Sequence, residues 1–195
     1  MKAFGDLQLP NLISWGIGNC EKLESFPDLQ LSKLTMLKEM EIRYCPMIEV
    51  SFPRGLWPPN LCSLRIGGLK KHISEWGNQN FPPSLVHLTL YNEPDVRNFS
   101  QLSHLFPSSL TSLGIFQFDK LESVSTGLQH LTSLQHLVIW YCPKVNDLPE
   151  TLLPSLLSLR IYEECPKLKE RCEGRGSHYW PRISHIPYIP HINDD

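Results

Sequence analysis

Leu131-Thr-Ser-Leu-Gln-His-Leu-Val-Ile-Trp-Tyr-Cys-Pro143 decides how this chain folds. Leu134, Leu137, Ile139, Cys142 and the following Val145 spell the pattern Leu-x-x-Leu-x-Ile-x-x-Cys-x-x-apolar. Working outward, a second clear copy holds Leu37, Met40, Ile42, Cys45 and Ile48. Looser copies begin at Leu12, Leu61, Leu85, Leu110 and Leu156. Between first leucines the steps are 25, 24, 24, 25, 24 and 22 residues. Seven copies at near-equal spacing are a repeat array, and the period lies in the leucine-rich-repeat range.

The spacing dictates the local structure. Each Leu-x-Ile pair alternates with period two, so it predicts a short strand with those two side chains on one face. One such strand cannot bury its apolar face alone; stacked neighbours build a continuous core. The ninth position turns the chain inward and holds Cys20, Cys45, Leu69, Glu93, Phe118 and Cys142, with Cys165 displaced by one extra residue. A buried Cys acts as a small hydrophobe with a weak donor, which suits a tight inward turn. The return segments hold many of the 17 prolines, as in Trp57-Pro58-Pro59, Phe81-Pro82-Pro83 and Phe106-Pro107. Proline breaks long helices. The expected fold is an α/β repeat solenoid, a leucine-rich-repeat horseshoe. Its parallel β-sheet lines the concave face, with loops and short helical turns on the convex face. Residues 1–168 form the repeats and 169–195 a C-terminal cap and tail, in which Trp180, Ile183 and Ile186 fold back over the last repeat.

Composition narrows the functional classes. With a net charge of -2, a pI near 6.4 and scattered basic residues, the chain carries no nucleic-acid footprint. Lys167, Lys169, Arg171 and Arg175 form one local basic run, read as a solvated end of the array. No stretch approaches the roughly 18 consecutive apolar residues of a membrane span. The N-terminus does not read as a signal peptide. Six cysteines without a secretion signal therefore point to reduced thiols and a cytoplasmic setting. The single sequon Asn98-Phe99-Ser100 is a match that chance supplies.

Chemistry finds few residues to stand on. No phosphate loop, G-x-S-x-G or H-E-x-x-H pattern occurs, so no enzyme, cofactor or nucleotide site is expected. Cys165, Cys172, His178, His185 and His191 fit no zinc-ligand spacing. His185, between apolar neighbours, reads as a packed histidine of the tail. Glu39 and Glu41 share a strand face as a solvated carboxylate pair.

The alternation does define a surface. The position after each strand's Ile or Leu reads Gly18, Arg43, Gly67, Tyr91, Phe116, Trp140, Tyr162, and the next column reads Asn19, Tyr44, Gly68, Asn92, Gln117, Tyr141, Glu163. Position five reads Gly16, Glu41, Arg65, Thr89, Gly114, Val138, Arg160. From Tyr91 onward the first column is an aromatic ladder, and aromatic and Arg side chains dominate binding energy at interfaces. The same ladder also stabilises neighbouring strands. The candidate protein-binding residues are Arg43, Tyr44, Arg65, Tyr91, Phe116, Trp140, Tyr141, Arg160 and Tyr162. Seven strands at about 4.8 Å spacing and roughly 13 Å length make a patch of roughly 380 Å². That is about half of one side of a standard interface, so flanking loops or further repeats must contribute.

Those segments also carry a family resemblance. Leu131–Pro143, Leu153-Pro-Ser-Leu-Leu-Ser-Leu-Arg-Ile161, Cys165-Pro-Lys-Leu-Lys-Glu-Arg-Cys172 and Trp180-Pro-Arg-Ile-Ser-His-Ile-Pro187 resemble the last repeats and tail of plant coiled-coil nucleotide-binding leucine-rich-repeat disease-resistance proteins. The resemblance implies plant innate immunity. In such receptors the repeats sense a pathogen effector or a modified host protein, and restrain an intramolecular nucleotide-binding domain. It also implies that this chain is the C-terminal portion of a larger receptor. A stand-alone adaptor, such as a ubiquitin-ligase substrate receptor, is the main alternative. A secreted inhibitor of a microbial enzyme fits less well, since Gly-x-Ile-Pro after the strand is lacking.

Overall fold

A computed structural model describes residues 11–24, 31–48, 57–77, 80–162 and 164–186. Seven strands form one sheet in chain order: β1 Ser14–Gly18, β2 Glu39–Cys45, β3 Ser63–Leu69, β4 His87–Tyr91, β5 Ser112–Phe116, β6 His136–Trp140 and β7 Ser158–Ile161. Every neighbouring pair is parallel. One strand arises from each copy of the sequence pattern, as the period-two reading requires. The architecture is α/β with few helices, compatible with a repeat solenoid.

Register places like with like. Met40, Leu64, Leu88, Leu113, Leu137 and Leu159 align across the sheet, and so do Ile42, Ile66, Leu90, Ile115, Ile139 and Ile161. Both rows are buried and belong to one continuous core, whereas Trp15 and Ile17 of β1 are only half-buried. A one-residue slip would move a whole row to the opposite face, so the apolar pattern itself holds the register.

The inward turn expected from the pattern takes a left-handed form at the ends of β1 to β6, with Gly68 at φ 63° in β3. Asn19, Tyr44, Asn92, Gln117 and Tyr141 have φ of 56°, 52°, 48°, 60° and 53°. A side chain in this left-handed region costs about 1–2 kcal/mol. The turn recovers that cost in two ways. It points the next side chain into the core, and the turned N–H finds the following strand. Asn19 donates to the Arg43 carbonyl at 3.0 Å, Asn92 to Phe116 at 2.9 Å and Gln117 to Trp140 at 3.0 Å. The thiols of Cys45 and Cys142 then donate back to the carbonyls two residues earlier, at 3.3 and 3.4 Å. Cysteine therefore suits this position as both an apolar filler and a weak donor.

Between strands the chain returns through 3₁₀ turns at Leu31–Lys33, Ile73–Glu75, Phe99–Gln101, Ser103–Leu105 and Leu153–Ser155. Behind them Phe81 and Phe106 stack at 6.2 Å, and Phe99 packs on Phe106 at 5.4 Å. The sequon asparagine has a local role. Asn98 caps the turn at Phe99–Gln101, and its Oδ1 also accepts from Thr126 Oγ at 2.6 Å, tying two repeats together.

Asp147 is the most heavily bonded acid among the described residues. Its Oδ1 accepts from the backbone N–H of Val124 (2.7 Å) and Ser125 (3.2 Å), its Oδ2 from the hydroxyls of Ser123 (2.7 Å) and Ser125 (2.6 Å). Bonds to a charged acceptor contribute about 1.5–3 kcal/mol each and are not additive. Asp147→Ala is expected to lower unfolding free energy by about 2–3 kcal/mol, with Asp147→Asn intermediate, in urea titrations followed by circular dichroism.

The C-terminal end is closed by two short helices, α1 Pro166–Cys172 and α2 Trp180–Ile183. Ile183 and Ile186 are buried as expected, while Trp180 is only half-buried. The large buried side chain of the cap is its neighbour Tyr179. Its hydroxyl accepts from the Leu148 N–H at 3.0 Å, and Arg171 lies over its ring at 5.0 Å. Arg182 and His178 both reach Glu150, at 3.1 and 3.2 Å. Arg171 also donates to the Asn146 carbonyl, so this part of the basic run fastens the cap instead of standing in solvent. His185 is exposed, not packed, and its Nε2 bonds the Leu156 carbonyl at 3.2 Å. His191 and Pro187 lie outside the described residues.

Candidate functional site

The sheet face opposite the core is built by the odd members of the alternation. In β2 to β7 the inward residues are buried, so the intervening side chains must stand on the other side. In register along one row are Arg43, Gly67, Tyr91, Phe116 and Trp140. Beside it runs Glu41, Arg65, Thr89, Gly114, Val138 and Arg160.

The aromatic ladder packs. Tyr91 and Phe116 have ring centroids 5.2 Å apart, and Phe116 and Trp140 5.7 Å. Trp140 meets Tyr141, in the adjoining left-handed turn, at 6.0 Å. Tyr141 and Tyr162 are 46% and 43% exposed, which puts two large apolar rings at the solvent boundary of the face. Glu163 of the neighbouring column lies outside the described residues.

One member of the ladder comes from the other column. Tyr44 packs edge-on against Tyr91 at 5.7 Å, although β3 lies between their strands. The intervening residues are Gly67 and Gly68, and they leave the space that the Tyr44 ring crosses. A Cβ on Gly68 would stand 3.1–3.2 Å from Tyr44 atoms. The Tyr44 hydroxyl ends on Gln117 Oε1, on the far side of Tyr91. The two glycines look like a break in the ladder when columns are read one at a time. In three dimensions they are the bridge point. Burial pushes the phenols of both Tyr44 and Tyr91 above the ordinary tyrosine value, so both stay neutral hydroxyl groups.

Charge on this face is concentrated at its two ends. Glu41 is not a solvated partner of Glu39: its carboxylate takes Arg43 through a hydrogen bond and Arg65 at 3.5 Å. That hydrogen bond raises the Arg43 guanidinium above its usual value. Arg43 also lies 5.8 Å from the Tyr44 ring centroid. At the other end, Arg160 is exposed on β7. The nine sequence-predicted residues thus share one face, with Tyr44, Tyr91, Phe116, Trp140 and Tyr141 in linked ring contacts. Arg43 and Arg65 gather around Glu41 on one flank, and Arg160 and Tyr162 stand at the other.

The thiols serve the core. Burial pushes Cys45 up and Cys172 up to about 12. Cys142 is pushed up by its hydrogen bond with Cys165 and by burial, and its N–H donates to Cys165 Sγ at 3.3 Å. Among the described residues no group of three His, Cys, Asp or Glu side chains is placed to hold a metal. No helix among them is long and apolar enough to cross a membrane.

Glu93 stands where the other repeats place Cys, Leu or Phe, and it is fully buried. Its two oxygens reach back to the preceding repeat and accept from the N–H groups of Ile73 (3.1 Å) and Ser74 (3.4 Å). Burial still dominates over those bonds and over nearby His72, raising the carboxyl to about 7. The repeat pattern shows a polar residue in an apolar column; only the contacts show its use as a clasp on the turn at Ile73–Glu75.

No protein-family model matches the chain. Relatives that do match include a disease resistance protein of Arabidopsis thaliana, 31% identical over 189 residues, which is 95% of this chain and 13% of that protein. Another is an RPP8-like disease resistance protein of the same plant, 27% identical over 206 aligned residues, covering 91% of this chain and 22% of the relative. The chain therefore spans less than a quarter of the length of these curated relatives, and homologues over about nine-tenths of its own length are plant disease resistance proteins.

Proposed function

We propose, from the kinship of this chain with plant disease resistance proteins, that it is a non-enzymatic protein-recognition module of a cytoplasmic immune receptor. On this reading the seven repeats form a leucine-rich-repeat solenoid, and the ring-lined sheet face is its concave docking surface. The observation that carries the reading is the packed ladder Tyr91–Phe116–Trp140, half-open to solvent and joined by exposed Tyr141. Core aromatics that serve packing alone are buried, as Phe99 and Phe118 are here. Rings held in fixed geometry at a surface lose little entropy on binding and supply large contact area.

The ligand is a protein: a pathogen effector, a modified host protein, or the nucleotide-binding domain of the receptor itself. Recognition acts by differential affinity. A partner that prefers the sheet face in the active arrangement shifts the receptor toward that arrangement by the difference in its two binding free energies. A stand-alone adaptor would use the same face for a degradation substrate.

The test is affinity capture from leaves challenged with a pathogen, using the 195-residue chain and its Phe116→Ala/Trp140→Ala variant. Hot-spot rings each contribute about 2 kcal/mol or more, so the double variant is expected to lose the captured partner at least about tenfold. A control at Gln129, exposed on a return segment, leaves capture unchanged. Equal capture by wild type and double variant, both verified as folded, contradicts the proposal.

A further inference from the structure

We infer that Cys20 and Cys45 form a peroxide-sensitive thiol pair, which closes into a disulfide and staples the edge strand β1 to β2.

The two sulfurs occupy matching places in neighbouring repeats. Gly18 of β1 pairs with Arg43 of β2, and each cysteine follows two residues later. The Cys20 thiol donates to the Gly18 carbonyl at 3.4 Å, and the Cys45 thiol to the Arg43 carbonyl at 3.3 Å. Between them the Asn19 N–H donates to the Arg43 carbonyl at 3.0 Å, which holds the two turns together. Strand spacing then sets their Cα atoms about 4.8 Å apart, inside the roughly 4.4–6.8 Å that a disulfide spans. Burial raises the Cys45 thiol, and both the backbone N–H and the thiol of Cys20 face its sulfur.

Position in the fold separates this pair from the other one. Cys142 and Cys165 repeat the arrangement, with the Cys142 N–H on Cys165 Sγ at 3.3 Å, but both are fully buried. Cys20 is half-exposed, on a repeat whose core side chains Trp15 and Ile17 are also half-buried. A small solute reaches Cys20, and the loosely packed edge strand has room for the slight approach that a sulfur–sulfur bond requires. Cys62 is half-exposed as well, but its neighbours in the adjoining repeats are Lys38 and Val86.

The chemistry needs one peroxide. The Cys20 thiolate attacks a peroxide oxygen, the O–O bond breaks, and the departing hydroxide takes up the thiol's proton as water. Cys20 is left as a sulfenic acid. The Cys45 sulfur then attacks the Cys20 sulfur, its proton joins the departing hydroxyl, and a second water leaves as the S–S bond forms. The two thiols together lose two electrons and two protons, and hydrogen peroxide is reduced to two waters.

The test treats the folded 195-residue chain with an equimolar amount of hydrogen peroxide at neutral pH. Remaining thiols are then blocked, and linked peptides are mapped by mass spectrometry without reduction. The expected product is an intramolecular Cys20–Cys45 peptide, lighter than its two parts by two hydrogen atoms and removed by dithiothreitol. Cys142 and Cys165 are expected to stay reduced. In the oxidised chain the Asn19 amide is expected to exchange at least about tenfold more slowly, because the staple keeps the edge from opening. Cys20→Ser, a change at a half-exposed site, is expected to abolish both the link and the added protection. Cys20 recovered as a sulfenic or sulfinic acid beside a reduced Cys45 overturns the inference, and so does a link from Cys20 to a second molecule. A Cys142–Cys165 link that forms as readily overturns the selection by the open edge. A Cys20–Cys45 link that leaves Asn19 exchange unchanged overturns the staple.

Discussion

Gly67→Ala is expected to abolish native folding or to cost more than about 4 kcal/mol, from a change of one methyl group. A Cβ at this position would lie 1.8 Å from the Tyr91 carbonyl oxygen and 2.6–2.7 Å from two further backbone atoms of Tyr91. None of these belongs to a flexible side chain, so relief requires β3 and β4 to separate. The backbone at Gly67 also has φ of 149°, a region that side chains rarely adopt. The strands that would part carry the bridge from Tyr44 to Tyr91, so the damage falls on the candidate face as well. Gly77→Ala is the control. It too has positive φ, at 65°, but a Cβ there meets nothing within 4 Å. Its cost is limited to the left-handed penalty of about 1–2 kcal/mol. Chemical denaturation of the two variants measures the difference; equal, mild effects would show that β3 and β4 do not approach as described.

The second large effect is on pH dependence. An unfolded glutamate titrates near 4.3, whereas buried Glu93 is raised to about 7. Between those values the unfolded chain has released its proton and the folded chain still holds it. Stability from Glu93 is therefore fully present at acid pH and is lost as pH climbs through about 7. At 1.36 kcal/mol per pH unit the full loss amounts to ~4 kcal/mol, most of which falls between pH 4 and pH 8. Other groups titrate too, so the clean quantity is the difference between wild type and Glu93→Gln. Wild type is expected to lose ~3 kcal/mol relative to the variant between pH 4 and pH 8. Parallel profiles would mean that Glu93 is solvated in the folded protein. The price of keeping an acid here is offset in part by the clasp on the Ile73 and Ser74 N–H groups.

Much of this architecture is legible in the sequence because the signal repeats. Seven copies of one period-two pair leave only one way to align the strands, and Met40 through Leu159 fall into a single row. The candidate face follows from the same alternation by subtraction. What escapes is everything that depends on reach. Tyr44 joins Tyr91 across a strand because two glycines vacate the space, which no single column reveals. Asp147 reaches from one repeat to the Ser123–Ser125 turn of another. Tyr179 fills the cap, although Trp180 is the bulkier residue and the more conspicuous one in sequence. The left-handed turns are hidden for a different reason. Glycine or asparagine would announce them, yet three of the five non-glycine positions hold Tyr44, Gln117 and Tyr141. There the gain from turning a core residue inward outweighs the local backbone preference.

The central claim is that partners meet the sheet face that carries the rings. Site-specific photo-crosslinking tests it most directly, with a benzophenone amino acid placed at Val138, between Gly114 and Arg160 on that face, or at Gln129 on a return segment. The account predicts that in pathogen-challenged leaf tissue the probe at Val138 forms a covalent adduct with a partner protein. The same adduct should vanish in Phe116→Ala/Trp140→Ala, and the probe at Gln129 should give none. An adduct formed from Gln129 and not from Val138 would place recognition on the opposite side of the molecule and contradict the account.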